Sequence, residues 1–293
     1  MPERRLPVRP NLDQLKHQAR DLLREMRREH PAAKLAEAQH ALSRSYRAPN
    51  WARLVQACEL IHAIWKDDVA VVRDLVQRHP ELLHENALIR DSNWGPPLSY
   101  AANLGRDRII TMLHGLGATD LEHALDRAAL QSKIGTARLL HGLMGLPVVP
   151  EGALAGPAYT LSVSGTAFAI EIGARVRDAQ GRPLAPVDVV LETDSRRPEA
   201  KHAILEMYAE HGYEFPDTPT MALHRGRIDL LEVHLRRDPG LLRRTFAHQE
   251  IYPPDLGCHD EINATQGTPL KGTTLLHLCA DYDETEIARW LLE

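Results

Sequence analysis

The chain has 293 residues, 43% of them hydrophobic and 26% charged, and a formal net charge of −5. That is ample for one long or two ordinary domains with a sizeable core, and the balance excludes a disordered chain. No apolar run approaches the roughly 18 residues of a membrane helix, the N-terminus lacks an apolar signal region, and Cys58, Cys258 and Cys279 are too few and too odd for a disulfide framework. The expected compartment is the cytoplasm. Only 5% of residues are aromatic, so Leu, Ala, Val and Ile must fill the core, which is a helical accent.

The first sixty residues predict three short amphipathic helices. Asn11 precedes Gln14 by three, the spacing of a capping box, and Leu12, Leu15, Ala19, Leu22, Leu23 and Met26 follow at helical period. Pro31 breaks that run. A second holds Leu35, Ala38 and Leu42, and a third begins after Pro49-Asn50 with Trp51, Leu54, Val55 and Cys58. Residues 1–30 carry +3 and residues 255–293 carry −6, a gradient too shallow for a nucleic-acid footprint and read as a solvated surface.

From residue 58 onward the chain repeats itself. In residues 96–118 an apolar residue and two alanines lead to Gly105, then to Ile109-Ile110, Met112-Leu113 and Gly117-Ala118. The pattern predicts a helical hairpin: alanines allow close approach, Gly105 ends the first helix, and the apolar pairs turn inward from the second. Residues 274–292 place Ala280, Asp283, Ile287-Ala288 and Trp290-Leu291 in the same slots. Weaker units lie at 60–76 with Asp67, at 125–140 with Ser132, and at 222–235 with Gly226. A further second helix spans 201–212, behind an insertion around 193–201. Residues 155–184 are read as helical, although Phe168, Ile170 and Ile172 alternate like a strand.

Thr274-Leu-Leu-His277-Leu-Cys-Ala280 resembles the T-P-L-H-x-A-A signature of ankyrin-repeat proteins, with Pro96-Pro-Leu-Ser-Tyr-Ala-Ala102 a looser match. The resemblance covers residues 58–293. It implies an all-α solenoid of stacked helix pairs over 59–293, with residues 1–58 as an N-terminal helical cap, a leader also similar to those ahead of ankyrin repeats in bacterial proteins. The spacing departs from the family period of about 33: Asp67, Gly105 and Ser132 lie 38 and 27 apart, and Gly226 and Asp283 lie 57 apart. The family would continue beyond Leu291-Leu292-Glu293, so the last repeat reads as truncated.

No phosphate loop, dinucleotide fingerprint, zincin motif or nucleophile elbow is present. His277 stands where the family has a structural histidine. Cys258, His259, His277 and Cys279 are the best metal candidates, without the spacing of a known zinc site, so no metal or cofactor is expected. His202 and Glu206 form an i,i+4 pair read as a solvated face. Residues 246–272 make the longest irregular stretch, with Phe246, Ile251, Tyr252, Leu256 and Ile262 as apolar anchors, and predict an ordered loop laid over the concave side.

By resemblance, recognition falls on the finger tips and on the two residues between the alanines and the turn. These are Trp65 and Lys66, Asn103 and Leu104, Leu130 and Gln131, His224 and Arg225, and Asp281 and Tyr282, with Asn93 and Trp94 at a tip and Tyr252 on the long loop. The expected function is non-catalytic binding of a protein or peptide, with aromatic anchors supplying much of the energy. A membrane, a nucleic acid and a small molecule are not the expected partners. Two alternatives stay open: an enzyme or metal-dependent protein using His248, Glu250, Cys258, His259 and Asp260, and weak nucleic-acid contact through Lys16, Arg20, Arg24, Arg27 and Arg28 of the first helix.

Overall fold

A computed structural model describes residues 3–145, 149–264 and 271–293. Among the described residues the chain is all-α, with seventeen α-helices and no β-strand. None of these helices is long and apolar enough to cross a membrane. The chain divides into two compact units, Met1–Ala128 with Gly135–Val148, and Ala129–Ile134 with Val149–Glu293.

The first unit opens with α1 (Leu12–Glu29), α2 (Leu35–Ser45) and α3 (Trp51–Trp65). Asn11 caps α1, its side-chain oxygen accepting from the amides of Asp13 at 2.8 Å and Gln14 at 3.2 Å. Asn50 caps α3 through the Arg53 amide at 2.9 Å. The expected boundary at 58/59 falls inside α3, which runs unbroken from leader into repeat because Cys58, Leu60, Ile61, Ala63 and Ile64 keep its buried face continuous. Helix pairs follow: α3 with α4 (Val69–Arg78), α5 (Pro97–Leu104) with α6 (Asp107–Gly115), and α7 (Leu121–Leu130) with α8 (Ile134–Met144). Like packs on like, α3 on α5 and α4 on α6.

The second unit holds α9 (Ala155–Tyr159) with α10 (Val163–Glu171), α11 (Val187–Glu192) with α12 (Pro198–Glu210), and α13 (Pro219–His224) with α14 (Ile228–Arg237). A single turn, α15 (His248–Ile251), precedes the last pair, α16 (Leu275–Tyr282) and α17 (Thr285–Leu292). Here too α9 packs on α11, α10 on α12, and α13 on α16. Phe168 and Ile170 lie on α10, so the strand-like alternation is a helix, and an isolated bridge between Arg177 and Pro183 forms the following finger.

The turn inside most pairs has one geometry. Asp67, Gly105, Ser132, Gly226 and Asp283 all adopt positive φ, between 56° and 68°. The amide after the turn residue donates to the carbonyl five positions back: Asp68 to Ala63, Arg106 to Ala101, Arg227 to Ala222 and Glu284 to Cys279, at 2.8–3.1 Å. That is the Schellman closure, which satisfies a carbonyl the helix end would leave open. Leu161 takes the same role at φ 51°, with Ser162 bonded to Pro157 at 2.8 Å. A buried leucine in the left-handed region is costly, which is why the sequence did not mark it.

Candidate interaction surface

In the first unit, the end of α3 and the start of α5 build an aromatic cluster. The Trp65 indole N–H donates to the Tyr100 hydroxyl at 2.8 Å, and that hydroxyl donates to the Val8 carbonyl. The Arg9 guanidinium stands 4.9 Å from the Trp65 ring centroid, cation–π range. Trp94, on the finger before α5, lies 4.7 Å from the Tyr100 ring at a 42° tilt. Burial pushes the Tyr100 hydroxyl up to about 12, so it stays a neutral donor. Arg106 fixes the end of α3 by donating to the carbonyls of Ile64 at 3.2 Å and Trp65 at 2.6 Å. Trp65, Trp94 and Leu104 keep part of their surface, and Lys66 and Asn93 are exposed.

A Ser–His–Asp set occurs nearby without the order of a catalytic triad. Ser99 lies 2.8 Å from His123 Nδ1 and bonds the Asp120 carboxylate, which also accepts the Ser99 amide at 3.1 Å. In a triad the carboxylate orients the histidine; here both partners grip a fully buried serine, tying α5 to the finger at Asp120.

The second unit treats the corresponding positions differently. His224 is fully buried, and its Nε2 donates to the Ile251 carbonyl at 2.9 Å. Burial drives its pKa down to about 3, aided by the Lys201 charge, so the ring is neutral. The edge of Tyr282 meets it at 5.1 Å, and the Tyr282 hydroxyl bonds that of Tyr252. Lys201, buried on α12, pairs with buried Glu284 at 3.0 Å and stands 4.2 Å from the Tyr282 ring. His202 also bonds Glu284, at 2.9 Å, and Glu206 bonds Arg225 and Arg227, so the supposed His202–Glu206 pair is two separate contacts. A cavity of about 720 Å³ opens beside His202, Glu284, Arg197 and Arg289. The Glu284 carboxylate on its wall is already matched by Lys201 and His202.

Five of the positions read as groove-facing are therefore buried: Asn103, Leu130, His224, Tyr252 and Tyr282. Asn103 turns back to donate to the Ser99 carbonyl at 3.0 Å. His224 and Tyr282 are closed over by the chain's own residues 246–252. Phe246 and Ile251 are buried anchors as expected, whereas Ile262 is 92% exposed and anchors nothing. The segment is sewn to the first helices of its unit: Thr220 bonds the Glu250 carbonyl, and His259 meets Glu192 through its amide at 2.6 Å and Nδ1 at 2.7 Å. Residues 265–270 of the long loop lie outside the described residues. Gln131 is exposed, and Arg225 and Asp281 are half-buried, Asp281 pairing with Arg196 at 3.6 Å.

The side chains weighed as metal ligands are engaged separately. His248 bonds the His259 carbonyl, Glu250 pairs with Arg244, Asp260 caps Ile262 and Asn263, and His277 bonds Thr274 at 2.9 Å. Burial pushes the thiols of Cys258 and Cys279 up. Among the described residues no three His, Cys, Asp or Glu side chains stand together as a metal group. On α1 the cations are interleaved with acids, Lys16 pairing with Asp13 and Arg24 with Asp21. Sequence reasoning missed Tyr100 and the strip Leu6–Pro10 that meets it. The available signal was apolar Leu6 and Val8 alternating with Pro7 and Pro10 in an otherwise charged stretch. No family model matches the chain, and no curated protein is significantly similar to it.

Proposed function

We propose that the chain is an ankyrin-type repeat protein acting as a non-catalytic interaction module, and that it binds a protein or peptide through the aromatic hairpin face of the first unit. The observation that carries this reading is the pair of half-exposed indoles, Trp65 and Trp94, flanked by exposed Lys66 and Asn93 around a hydrogen-bonded Tyr100. Large rigid aromatics that are partly buried already supply contact area at low entropic cost. Support for the repeat class comes from the shared left-handed turns, from like-on-like helix packing, and from Thr274, whose hydroxyl meets His277 at the start of α16.

The test is affinity capture on the immobilised full chain, followed by calorimetry with the protein retained. Wild type is compared with Trp94→Ala, Lys66→Glu and, as a control in the second unit, Gln131→Lys, all matched in circular dichroism. The reading expects Trp94→Ala to weaken binding about tenfold or more and Gln131→Lys to leave it unchanged. Equal binding by all four proteins overturns it.

A further inference from the structure

We propose that His123 and the residues around it on the first unit form a binding site for the ammonium of a lysine side chain presented by the partner. The inference deepens the reading above and rests on it only in taking the ligand from a protein.

The site starts from a hydrogen-bond chain that can run in one direction only. Ser99, fully buried on the first turn of α5, has a single hydroxyl proton to give. Its Oγ bonds the Asp120 carboxylate, and the same carboxylate oxygen accepts the Ser99 amide at 3.1 Å. A carboxylate only accepts, so the hydroxyl proton goes to Asp120. The 2.8 Å contact between Ser99 Oγ and His123 Nδ1 must then have Nδ1–H as its donor. In the neutral ring this leaves the lone pair on Nε2. Burial and then the Arg127 guanidinium hold the His123 pKa below the usual imidazole value, so the neutral ring is the form present near neutral pH. Nε2 has no partner among the described residues and is not among their buried unpaired atoms. Gly95, next to Trp94 on the finger, admits the ring at this distance: an added Cβ would fall 2.7 Å from its Cε1 and Nδ1.

His123 lines a cavity of about 510 Å³ with Thr119, Asp120, Leu121, Glu122 and Met144. Its walls therefore carry two carboxylates, one uncharged acceptor and no cation; Arg127 nearby is already paired with Asp126. An anion would be repelled there, and a neutral donor would leave the carboxylate charge unused. A lysine ammonium is a compact charge with three donors, one each for Nε2, Asp120 and Glu122, and Leu121 and Met144 offer apolar surface to its stem. A guanidinium is a planar fork suited to both oxygens of one carboxylate, and Asp120 Oδ2 is already held twice by Ser99. The charges acting on the ring come from Asp120, Asp126 and Arg127. The residues that meet it from α5 and its finger, Ser99 and Gly95, are uncharged, as is Met144 of α8. Protonation of His123 turns the acceptor into a donor and adds a like charge, so lysine binding weakens as pH falls through the His123 titration.

The experiment uses the full chain with isotope-labelled histidine and His123 assigned through bonds. The probe is Nα-acetyl-lysine N-methylamide, with the norleucine and arginine analogues as controls. Proton–nitrogen spectra are expected to show neutral His123 protonated at Nδ1; a proton on Nε2 overturns the proposal. The lysine probe is expected to shift the Nε2 resonance saturably in the millimolar range, the norleucine analogue not at all, and the arginine analogue to bind at least about threefold more weakly. Glu122→Gln, at an exposed position, is expected to weaken lysine binding about threefold or more. Wild-type affinity is expected to fall in step with His123 protonation in the same spectra. No saturable shift, an equal response to either control, an unchanged affinity in Glu122→Gln, or an affinity indifferent to His123 protonation overturns the proposal. Failure here with Trp94-dependent capture intact removes the lysine site and leaves the interaction reading standing, whereas lysine binding without Trp94-dependent capture removes that reading and leaves the site.

Discussion

In the first unit, Trp65 and Leu104 end the first helices of their pairs and keep part of their surface, Lys66 is exposed and Asn103 is buried, whereas in the second His224 and Tyr282 hold equivalent slots and are closed over by residues 246–252. The local turn is the same in both, a left-handed residue closed by a backbone bond five positions back. What differs is the covering. A short proline-framed strip meets Trp65 and Tyr100 in the first unit, while in the second an insertion with buried Phe246, Ile251 and Tyr252 brings its own core. The first therefore keeps part of its aromatic surface, and the second has turned the same geometry into interior, with a buried ion pair and a neutral histidine. Repeat position sets where a side chain starts; exposure is decided by what else the chain lays over it.

The sharpest way to break that comparison is Glu284→Ala, which strands the Lys201 ammonium without its partner in the second unit. Loss of one member of a buried pair costs about 3–5 kcal/mol, to be read in urea unfolding from Trp290, while Trp51, Trp65 and Trp94 report the first unit. The double replacement Lys201→Met with Glu284→Leu is expected to recover most of the loss, because neither charge is then buried alone.

Acid should separate the units next. His224 has a folded pKa near 3, below the ordinary value of 6.5, so folding favours its neutral form. Its contribution is complete above pH 6.5 and declines as pH falls toward 3, with about 3 kcal/mol lost by pH 4.5. His224→Gln retains a donor for the Ile251 carbonyl and should remove that part of the pH dependence at Trp290. An unchanged dependence would place the titrating group elsewhere.

Gly226→Ala comes third. Its φ is +68°, and an added Cβ would fall 2.2 Å from the His202 ring, so backbone strain and steric overlap act together. A loss of about 1–3 kcal/mol is expected in thermal unfolding, larger than for alanine at Gly135, where nothing lies within 4 Å. The smallest effect has the opposite sign: Asp67→Gly and Asp283→Gly relieve positive φ at 57° and 60° and should each stabilise their own unit by about 0.5–1 kcal/mol. Asp67 carries the further benefit of removing a buried carboxylate oxygen that has no partner.

Much of the local structure was legible in the residues. Asn11 and Asn50 announce helix starts, and Asp67, Gly105, Ser132, Gly226 and Asp283 announce turns, because caps and left-handed positions are satisfied within a few residues of chain. Leu161 was not legible, since its strain is held by burial rather than by its own preference. The candidate surface was half legible. Trp65 and Trp94 stood out as large aromatics near turns, but Tyr100 was only one residue of a signature match and Leu6–Pro10 part of the leader, because their meeting joins residues about ninety positions apart.

By itself, then, the sequence determined that this is an all-α chain of helix pairs with a common turn, since periodicity, caps and turn residues act over short range. Only the tertiary structure decided which repeat positions stay at the surface. The strip at Val8 and the insertion at residues 246–252 cover Tyr100, His224 and Tyr282 through long-range packing, and burial there follows from contacts that no local preference encodes.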